Sequence, residues 1–270
     1  MELPVTQQRP ILRYENGRLH STIDTVASEY ALTVYVDDEE LATLVCTPSH
    51  LDELVVGFLA AEGVIRSAEE VVSLALDTAG GFAYVETAGK RRFSQRFFNK
   101  RYIPSCCGKG RQSFYFFNDV QTAKPVEQAP TLAPDDVLRL ISALQASSHV
   151  FADTGGVHNA ALCTRAGIVA VRTDIGRHNA LDKLYGYCLQ HNVPRGDKLL
   201  AFSGRLSSEV ILKAAKMGIG VVLSKSAPTE LGLRIADELG ITAIGFVRGT
   251  RFNVYTHPHR LQPGVDQPDE

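Results

Sequence analysis

The sequence has no long apolar run and no strong excess of charge of either sign. No apolar stretch approaches the ~18 residues of a membrane-spanning helix, which disfavours a membrane protein. The formal net charge of −2 disfavours nucleic-acid binding through bulk electrostatics. The start of the chain also lacks the basic region followed by an apolar one that secretory leaders have. We therefore expect a cytoplasmic protein with no nucleic acid and no membrane as partner.

Cysteine is scarce, with five in 270 residues. A small, odd number of cysteines suits a reducing compartment better than a framework of disulfides. Cys46, Cys163 and Cys188 are isolated along the chain, so no two of them have the spacing of zinc ligands. His257 and His259 form a His-x-His pair without further ligands at suitable spacing, which favours a terminal polar segment. The sequence therefore predicts no intrinsic metal.

Acidic residues are absent from residues 87–118, which contain eight lysines and arginines. Cys106 and Cys107 lie in this stretch, followed by Gly108-Lys109-Gly110-Arg111. Cationic surroundings favour the thiolate, which is the nucleophilic form of cysteine. Consecutive Cα atoms lie about 3.8 Å apart, whereas an unstrained disulfide needs roughly 4.4–6.8 Å, so a bridge between the two would be strained. The segment is predicted to be a reactive loop; the alternative is a pair of small buried residues.

Residues 1–122 combine hairpin patterns with one helical pattern, which predicts a smaller β-rich α+β domain. Asn16-Gly17 marks a turn between extended segments, and a second hairpin pairs residues 30–36 with 41–46. Thr47-Pro48 suits the N-cap and first turn of an amphipathic helix that follows. A proline-bearing stretch without periodicity, residues 123–130, is predicted to be a linker.

Residues 131–270 alternate helical patterns with short apolar strands, which predicts an α/β domain. Strands are expected at 167–171, 198–202, 220–223 and 241–247. Strands that alternate with helices indicate a largely parallel sheet covered on both faces. Ligands of such sheets bind beyond the carboxyl ends of the strands.

Four short polar segments are predicted to meet at that edge. They are residues 154–159, 174–179, 203–208 and 246–251. Their glycines let the backbone approach a ligand, and their arginines, with helix N-termini, could hold the phosphates of a nucleotide. Any one segment alone is more often a turn with a helix cap. Convergence of all four predicts a nucleotide site.

With these segments assembled, the chain resembles the formate dehydrogenase accessory sulfurtransferase family, FdhD, from about Tyr30 to Tyr255. The resemblance rests on Ser105-Cys106-Cys107-Gly108-Lys109-Gly110, on Thr154 to Ala160, on Asp174 to Lys183, on Ser203 to Glu209 and on Phe246 to Arg251. It implies a cytidine-deaminase-like α/β/α layered domain after the smaller β-rich domain.

The resemblance also implies an activity: sulfur transfer to a molybdenum (or tungsten) bis(molybdopterin guanine dinucleotide) cofactor, needed by formate dehydrogenase. A cysteine desulfurase would donate the sulfur, and Cys107 matches the position of the family's persulfide cysteine. Many members carry Cys-x-x-Cys, whereas Gly110 stands at the second position here, so a mechanism that needs two spaced cysteines lacks support. By the same resemblance we expect a homodimer.

The cofactor-binding candidates come from the segment matched to the family and from the other polar segments at the sheet edge. They are Phe246, Val247, Arg248, Gly249, Thr250, Arg251, His158, Arg177, His178, Ser203 and Arg205.

Three alternative functions remain. The chain could carry and shield the cofactor without moving sulfur. It could be a hydrolytic deaminase, although the His-x-Glu and Cys-x-x-Cys motifs of that chemistry are absent. It could be a thiol redox enzyme, which the strain of an adjacent disulfide disfavours.

Overall fold

A computed structural model describes residues 3–89, 101–103 and 123–262. Three sheets and six α-helices lie in these ranges. Cys106, Cys107 and the residues around them lie outside the described part of the chain. Among the described residues, no helix has the length and apolar character needed to cross a membrane.

The first sheet is a hairpin of two long strands, β1 (Thr6–Glu15) and β2 (Arg18–Ala27), paired antiparallel along their whole length. Asn16 and Gly17 join them with φ of 50° and 80°. Positive φ at both central residues is the geometry of a type I′ hairpin turn. The hairpin predicted at this turn is therefore confirmed.

The second sheet has five strands in the order β5-β6-β3-β4-β7. Its strands are β3 (Tyr30–Val36), β4 (Glu39–Cys46), β5 (Val71–Asp77), β6 (Phe82–Thr87) and β7 (Arg101–Ile103). Helix α1 (Leu51–Ala61) follows β4, and its N-cap is His50 with φ 51°. The helix predicted to start at Thr47-Pro48 thus begins later, because the Thr47 backbone bonds Asp174 and Lys183.

The third sheet has six strands in the order β13-β12-β11-β10-β8-β9. Its strands are β8 (His158–Cys163), β9 (Ile168–Asp174), β10 (Leu199–Phe202), β11 (Val221–Ser224), β12 (Thr242–Arg248) and β13 (Arg251–Val254). The helices of this part are α2 (Pro134–Ala146), α3 (His149–Thr154), α4 (Arg177–Gln190), α5 (Ser208–Lys216) and α6 (Glu230–Glu238).

This sheet is mixed, which corrects the largely parallel sheet that the sequence predicts. Of the described strands of this sheet, only β10, β11 and β12 pair parallel, while β8, β9 and β13 pair antiparallel. The loops 164–167 and 249–250 are too short for the crossover that parallel neighbours need. The prediction missed β8 because its strand begins with the polar residues His158 and Asn159.

Helices lie on both faces of the third sheet. Leu199 and Ala201 of β10 belong to the hydrophobic cluster that contains α2, whereas Leu200 and Phe202 belong to the cluster that contains α4 and α5. This alternation is what a strand buried on both faces requires. A mixed α/β fold is therefore established, and its likeness to cytidine deaminase stays a prediction.

Helices α1 and α4 cross at unusually close range. A Cβ added at Gly57 would lie 1.8 Å from the carbonyl oxygen of Asp182, and one added at Gly186 would lie 1.9 Å from that of Glu53. Only glycine allows two backbones to approach so closely. The hydrophobic cluster that contains α1 also contains α4, so the two parts of the chain share a core. The domain boundary between residues 122 and 131 stays a prediction.

The crossing predicts a strong effect for a single added methyl group. We expect Gly57→Ala to lower the free energy of unfolding by about 1–3 kcal/mol, because α1 and α4 must move apart. Gly167→Ala is the matched control, since a Cβ at Gly167 meets nothing within 4 Å. Guanidinium-induced unfolding measures both variants. Equal midpoints for the two variants would contradict the close crossing.

Candidate functional site

The polar segments converge because β8 runs antiparallel to both of its neighbours. His158 at the start of β8 pairs opposite Asp174 at the end of β9, and Ala160 pairs opposite Phe202 at the end of β10. The start of β8 therefore lies at the edge where β9 and the three parallel strands end. This edge holds the sequence-predicted site residues that the structure describes, and we call it the carboxyl edge.

Ser203 joins the first and third polar segments. Its hydroxyl accepts a hydrogen bond of 2.9 Å from the Asn159 N–H, and its own N–H donates to the Asn159 carbonyl at 3.0 Å. The Ser203 hydroxyl also lies 3.4 Å from Nδ1 of His158. Ser203 and His158 are thus brought together as the sequence predicts. The two bonds to the Asn159 backbone give Ser203 a structural role as well.

His158 is kept neutral by its surroundings. Burial lowers the pKa of its imidazole, and the nearby Arg177 guanidinium lowers this pKa further. A neutral imidazole near pH 7 can accept a proton or a hydrogen bond from a ligand. His158 is therefore suited to bind a polar group, and not to supply positive charge.

Arg177 and His178 begin helix α4. Nε2 of His178 lies 3.3 Å from the Oε2 of Glu209, at the start of α5. A Cβ at Gly204 would lie 3.5 Å from the Cβ of Arg177, so Arg177 stands beside the loop after β10. Glu209 was not among the predicted site residues. Glu209 follows Ser207 and Ser208, which is the pattern of an ordinary helix start, so the sequence does not mark Glu209 as a site residue.

Other residues of the segment 174–183 hold the fold together. Asp174 and Lys183 form a fully buried ion pair of 2.7 Å. Asp174 accepts a hydrogen bond from the Thr47 N–H, and Lys183 donates one to the Thr47 carbonyl, both at 3.0 Å. The Asn179 amide donates to the Val45 carbonyl at 2.8 Å. Only the start of α4 is thus left for a ligand, and Thr47 is bound here instead of capping α1.

The segment 246–251 covers the end of β12 and its turn into β13. The β12–β13 register shifts between Gly245 and Arg248, and Phe246 has φ 53°. Bulges of this kind re-aim side chains. Phe246 is exposed, while Val247 is only 2% exposed and packs in the core. Val247 can therefore offer a ligand only its backbone.

The remaining residues of this segment are exposed and basic or small. The guanidinium carbon of Arg248 lies 5.6 Å from the centroid of the Phe246 ring. Gly249 has φ 55° in the turn, and Thr250 and Arg251 are exposed beside it. Arg205, in the loop after β10, is exposed as well. The carboxyl edge thus presents an aromatic ring among guanidinium groups, which suits a phosphorylated aromatic ligand.

Ser224, at the end of β11, and Lys225 and Ser226, in the loop after it, also lie at this edge and are not among the predicted site residues. The Ser224 hydroxyl donates to the Gly204 carbonyl at 2.7 Å, and the Phe246 N–H donates to the Ser226 carbonyl at 3.1 Å. This loop therefore lies between two of the predicted segments. A polar Ser-Lys-Ser at the end of an apolar strand is the same pattern as in the other segments, so the sequence does carry a signal for these residues.

The described residues contain no group of three or more His, Cys, Asp and Glu side chains that could hold a metal ion. Nε2 of His257 lies 3.6 Å from Oδ1 of Asp237, and its ring contacts that of His259 edge-on at 5.7 Å. These contacts occupy the His-x-His pair without a further ligand from the described part of the chain.

The described cysteines are poor nucleophiles. Burial raises the pKa of the Cys46 and Cys163 thiols to about 12 and that of Cys188 to about 11. A thiol with such a pKa holds almost no thiolate at neutral pH. Cys107, the predicted persulfide carrier, lies outside the described residues with Cys106, and its role stays a prediction.

Comparison with known proteins gives matches over nearly the whole chain. The model of the FdhD/NarQ family matches residues 27–262. The sulfur carrier protein FdhD of Geobacillus kaustophilus is 58% identical over 255 residues, which is 94% of this chain and 97% of that protein. The sulfur carrier protein FdhD of Bacillus subtilis is 53% identical over 258 residues, 96% of this chain and 98% of that protein.

A solved structure has the same fold. It is that of a proposed formate dehydrogenase accessory protein from Desulfotalea psychrophila, with a TM-score of 0.79 and 24% sequence identity. The match covers 96% of this chain and all of that one. At this identity the likeness supports the fold alone.

The burial of the described cysteines predicts a selective labelling pattern. In native protein at pH 7.5, we expect iodoacetamide to leave Cys46, Cys163 and Cys188 unmodified, because their thiols are buried and protonated. Modification is expected at Cys106 and Cys107, in the basic segment. Peptide mass spectrometry reads the pattern, and guanidinium-unfolded protein, labelled at every cysteine, is the control. Native labelling of Cys188 at the rate of unfolded protein would contradict its burial.

Proposed function

Because the chain belongs to the FdhD/NarQ family, we propose that it is a sulfurtransferase that carries sulfur for formate dehydrogenase. The observation that supports this most is identity of 58% over almost the full length of a sulfur carrier protein. The high pKa of the described thiols also supports it, since it leaves the basic segment with Cys106 and Cys107 as the place for sulfur chemistry.

In the proposed reaction, the Cys107 thiolate attacks the outer sulfur of a persulfide on a cysteine desulfurase. The donor's sulfur–sulfur bond breaks, the donor thiolate leaves, and Cys107 keeps the outer sulfur as its own persulfide. Passing that sulfur on as sulfide needs two electrons, from the acceptor metal centre or from an external thiol. Cys106 is a poor source of them, because its disulfide with Cys107 would be strained.

We propose that the acceptor is molybdenum (or tungsten) bis(molybdopterin guanine dinucleotide), bound as substrate at the carboxyl edge. Arg205, Arg248 and Arg251 are exposed there and can pair with phosphate oxygens. The exposed ring of Phe246 can stack on a guanine base. These same groups favour the second candidate function, a carrier that shields this cofactor for formate dehydrogenase without moving sulfur.

Substitution of the two adjacent cysteines separates these functions. After incubation with a cysteine desulfurase and cysteine, we expect wild type and Cys106→Ala to gain one sulfur atom, and Cys107→Ala to gain none. Intact-protein mass spectrometry detects the added sulfur. In cells, Cys107→Ala should abolish formate dehydrogenase activation and Cys106→Ala should keep most of it.

The reverse pattern would assign the persulfide to Cys106. A wild-type protein that gains no sulfur on any cysteine, yet is still needed for formate dehydrogenase activity, would favour the carrier.

We also propose that the chain forms a homodimer through the first hairpin. Pro10, Leu12, Tyr14, Leu19 and Ile23 lie on one side of it, because Pro10 pairs opposite Ile23 and Tyr14 opposite Leu19. We call this the apolar hairpin face. Its Leu, Tyr and Ile side chains are 66–71% exposed. A two-stranded hairpin is marginally stable alone, so cover for this face is expected.

A second copy is the occupant that the charges favour. The apolar hairpin face carries no ionisable side chain other than the tyrosine, so two identical faces can meet about a two-fold axis without repulsion between like charges. The charged residues of the hairpin lie on its other side. They are Arg9, Arg13, Glu15, Arg18, His20 and Asp24.

A charge placed on this face should therefore separate the subunits. We expect a dimeric wild type and a monomeric Leu12→Glu variant by analytical ultracentrifugation, because the carboxylate would be buried at the interface. Thr22→Glu, on the other side of the hairpin, is the matched control and should remain a dimer. A monomeric wild type, or a dimeric Leu12→Glu, would overturn this surface.

A further inference from the structure

The loop after β11 occupies the middle of the carboxyl edge. Strand β11 lies between β10 and β12 in the sheet, so its loop stands between the loop that carries Arg205 and the segment that carries Phe246. Backbone bonds fix it on both sides. The Leu206 N–H donates to the Ala227 carbonyl at 3.1 Å, and the Phe246 N–H donates to the Ser226 carbonyl at 3.1 Å.

Ser224 holds this loop rigidly. Its side chain is completely buried, donates to the Gly204 carbonyl at 2.7 Å and accepts from the Ser226 N–H at 2.9 Å. A buried hydroxyl with a donated and an accepted bond is fixed in orientation. The backbone around Lys225 is therefore preorganised, and ordering it costs a ligand little entropy.

Lys225 adds a positive charge that forms no ion pair with a described acid. Its side chain is exposed, and its carbonyl accepts a bond of 3.4 Å from Nε of Arg248. None of Arg205, Lys225, Arg248 and Arg251 forms an ion pair with another described residue. The described acids on the elements at this edge face other groups: Asp174 faces Lys183, Glu209 faces His178, and Glu230, at the start of α6, faces Arg234. Uncompensated cations on a fixed surface attract an anion.

The neighbouring Phe246 indicates which anion. Its backbone stays in the left-handed region, which is costly for a bulky side chain, and the bulge in β12 turns its ring outward. A ring kept exposed at this cost, next to cations, provides a stacking surface for an aromatic base beside a site for phosphate.

From this arrangement we infer that Lys225 binds the diphosphate of a guanine nucleotide, together with Arg248, while Phe246 stacks on the base. The inference rests on the proposed cofactor and assigns its phosphates to the loop after β11. Lys225 acts as a point charge on a fixed backbone, so its contribution depends on charge more than on geometry.

GDP, which carries the base and the diphosphate of the cofactor, is the probe. We expect isothermal titration to show GDP binding by wild type, with affinity about tenfold lower in Lys225→Ala, because one charge-assisted contact to phosphate is lost. Lys225→Arg should keep most of the affinity. Lys124→Ala is the matched control, because it removes the same charge from an exposed position far from the site. Residues 123–130 lie against Gly220 and Gly240, at the opposite ends of β11 and β12. This variant should bind GDP as wild type does.

Arg251→Ala tests the wider site in the same experiment. If GDP affinity falls in Arg251→Ala and Phe246→Ala but not in Lys225→Ala, the inference is wrong and the proposed cofactor site stands. If wild type binds no GDP, both the role of Lys225 and the proposed cofactor site are wrong. Inorganic diphosphate is titrated in the same way as a final comparison. Diphosphate affinity as high as the GDP affinity would overturn the assignment to a nucleotide. Circular dichroism melting of each variant confirms that it is folded.

Discussion

The buried ion pair between Asp174 and Lys183 is the constraint on which the carboxyl edge depends. Both side chains are completely buried, so each charge has lost its water. Such a pair is tolerated only when further hydrogen bonds satisfy it. Here the Thr47 backbone and the Gly176 N–H provide them, the latter at 2.8 Å to Asp174. The end of β9, the start of α4 and the segment after β4 therefore occupy one fixed arrangement.

The same region joins the two parts of the chain. Glu53 of α1 forms a nearly buried ion pair with Arg172 of β9, next to the crossing of α1 and α4 at Gly57 and Gly186. Because α4 begins with Arg177 and His178, the first part of the chain helps to place these two side chains at the carboxyl edge. Helix α1 thus contributes to the site by fixing the position of α4.

The polar segments at the carboxyl edge contain two kinds of residue, buried ones that stabilise the fold and exposed cations. Asp174, Asn179 and Lys183 are buried and bond the backbone of residues 45–47. Arg205 and Lys225 are exposed on loops fixed by backbone hydrogen bonds, and Arg248 is exposed at the end of β12. Buried charges have to be paired, and exposed cations on a rigid surface are free to bind an anion. The edge therefore combines a rigid interior with an accessible charged surface.

The sequence by itself determined most of the elements, most of the carboxyl-edge segments and the family. Asn16-Gly17 predicts its turn because only residues that tolerate positive φ fit there, and helical spacing predicts α2 and α4 because burial follows that period. Tertiary structure decided the direction of β8, which hydrophobic pattern cannot predict because a strand reads alike in both directions. It also decided that Thr47 bonds Asp174 and does not cap α1, since a buried charge outweighs a local cap once distant segments meet.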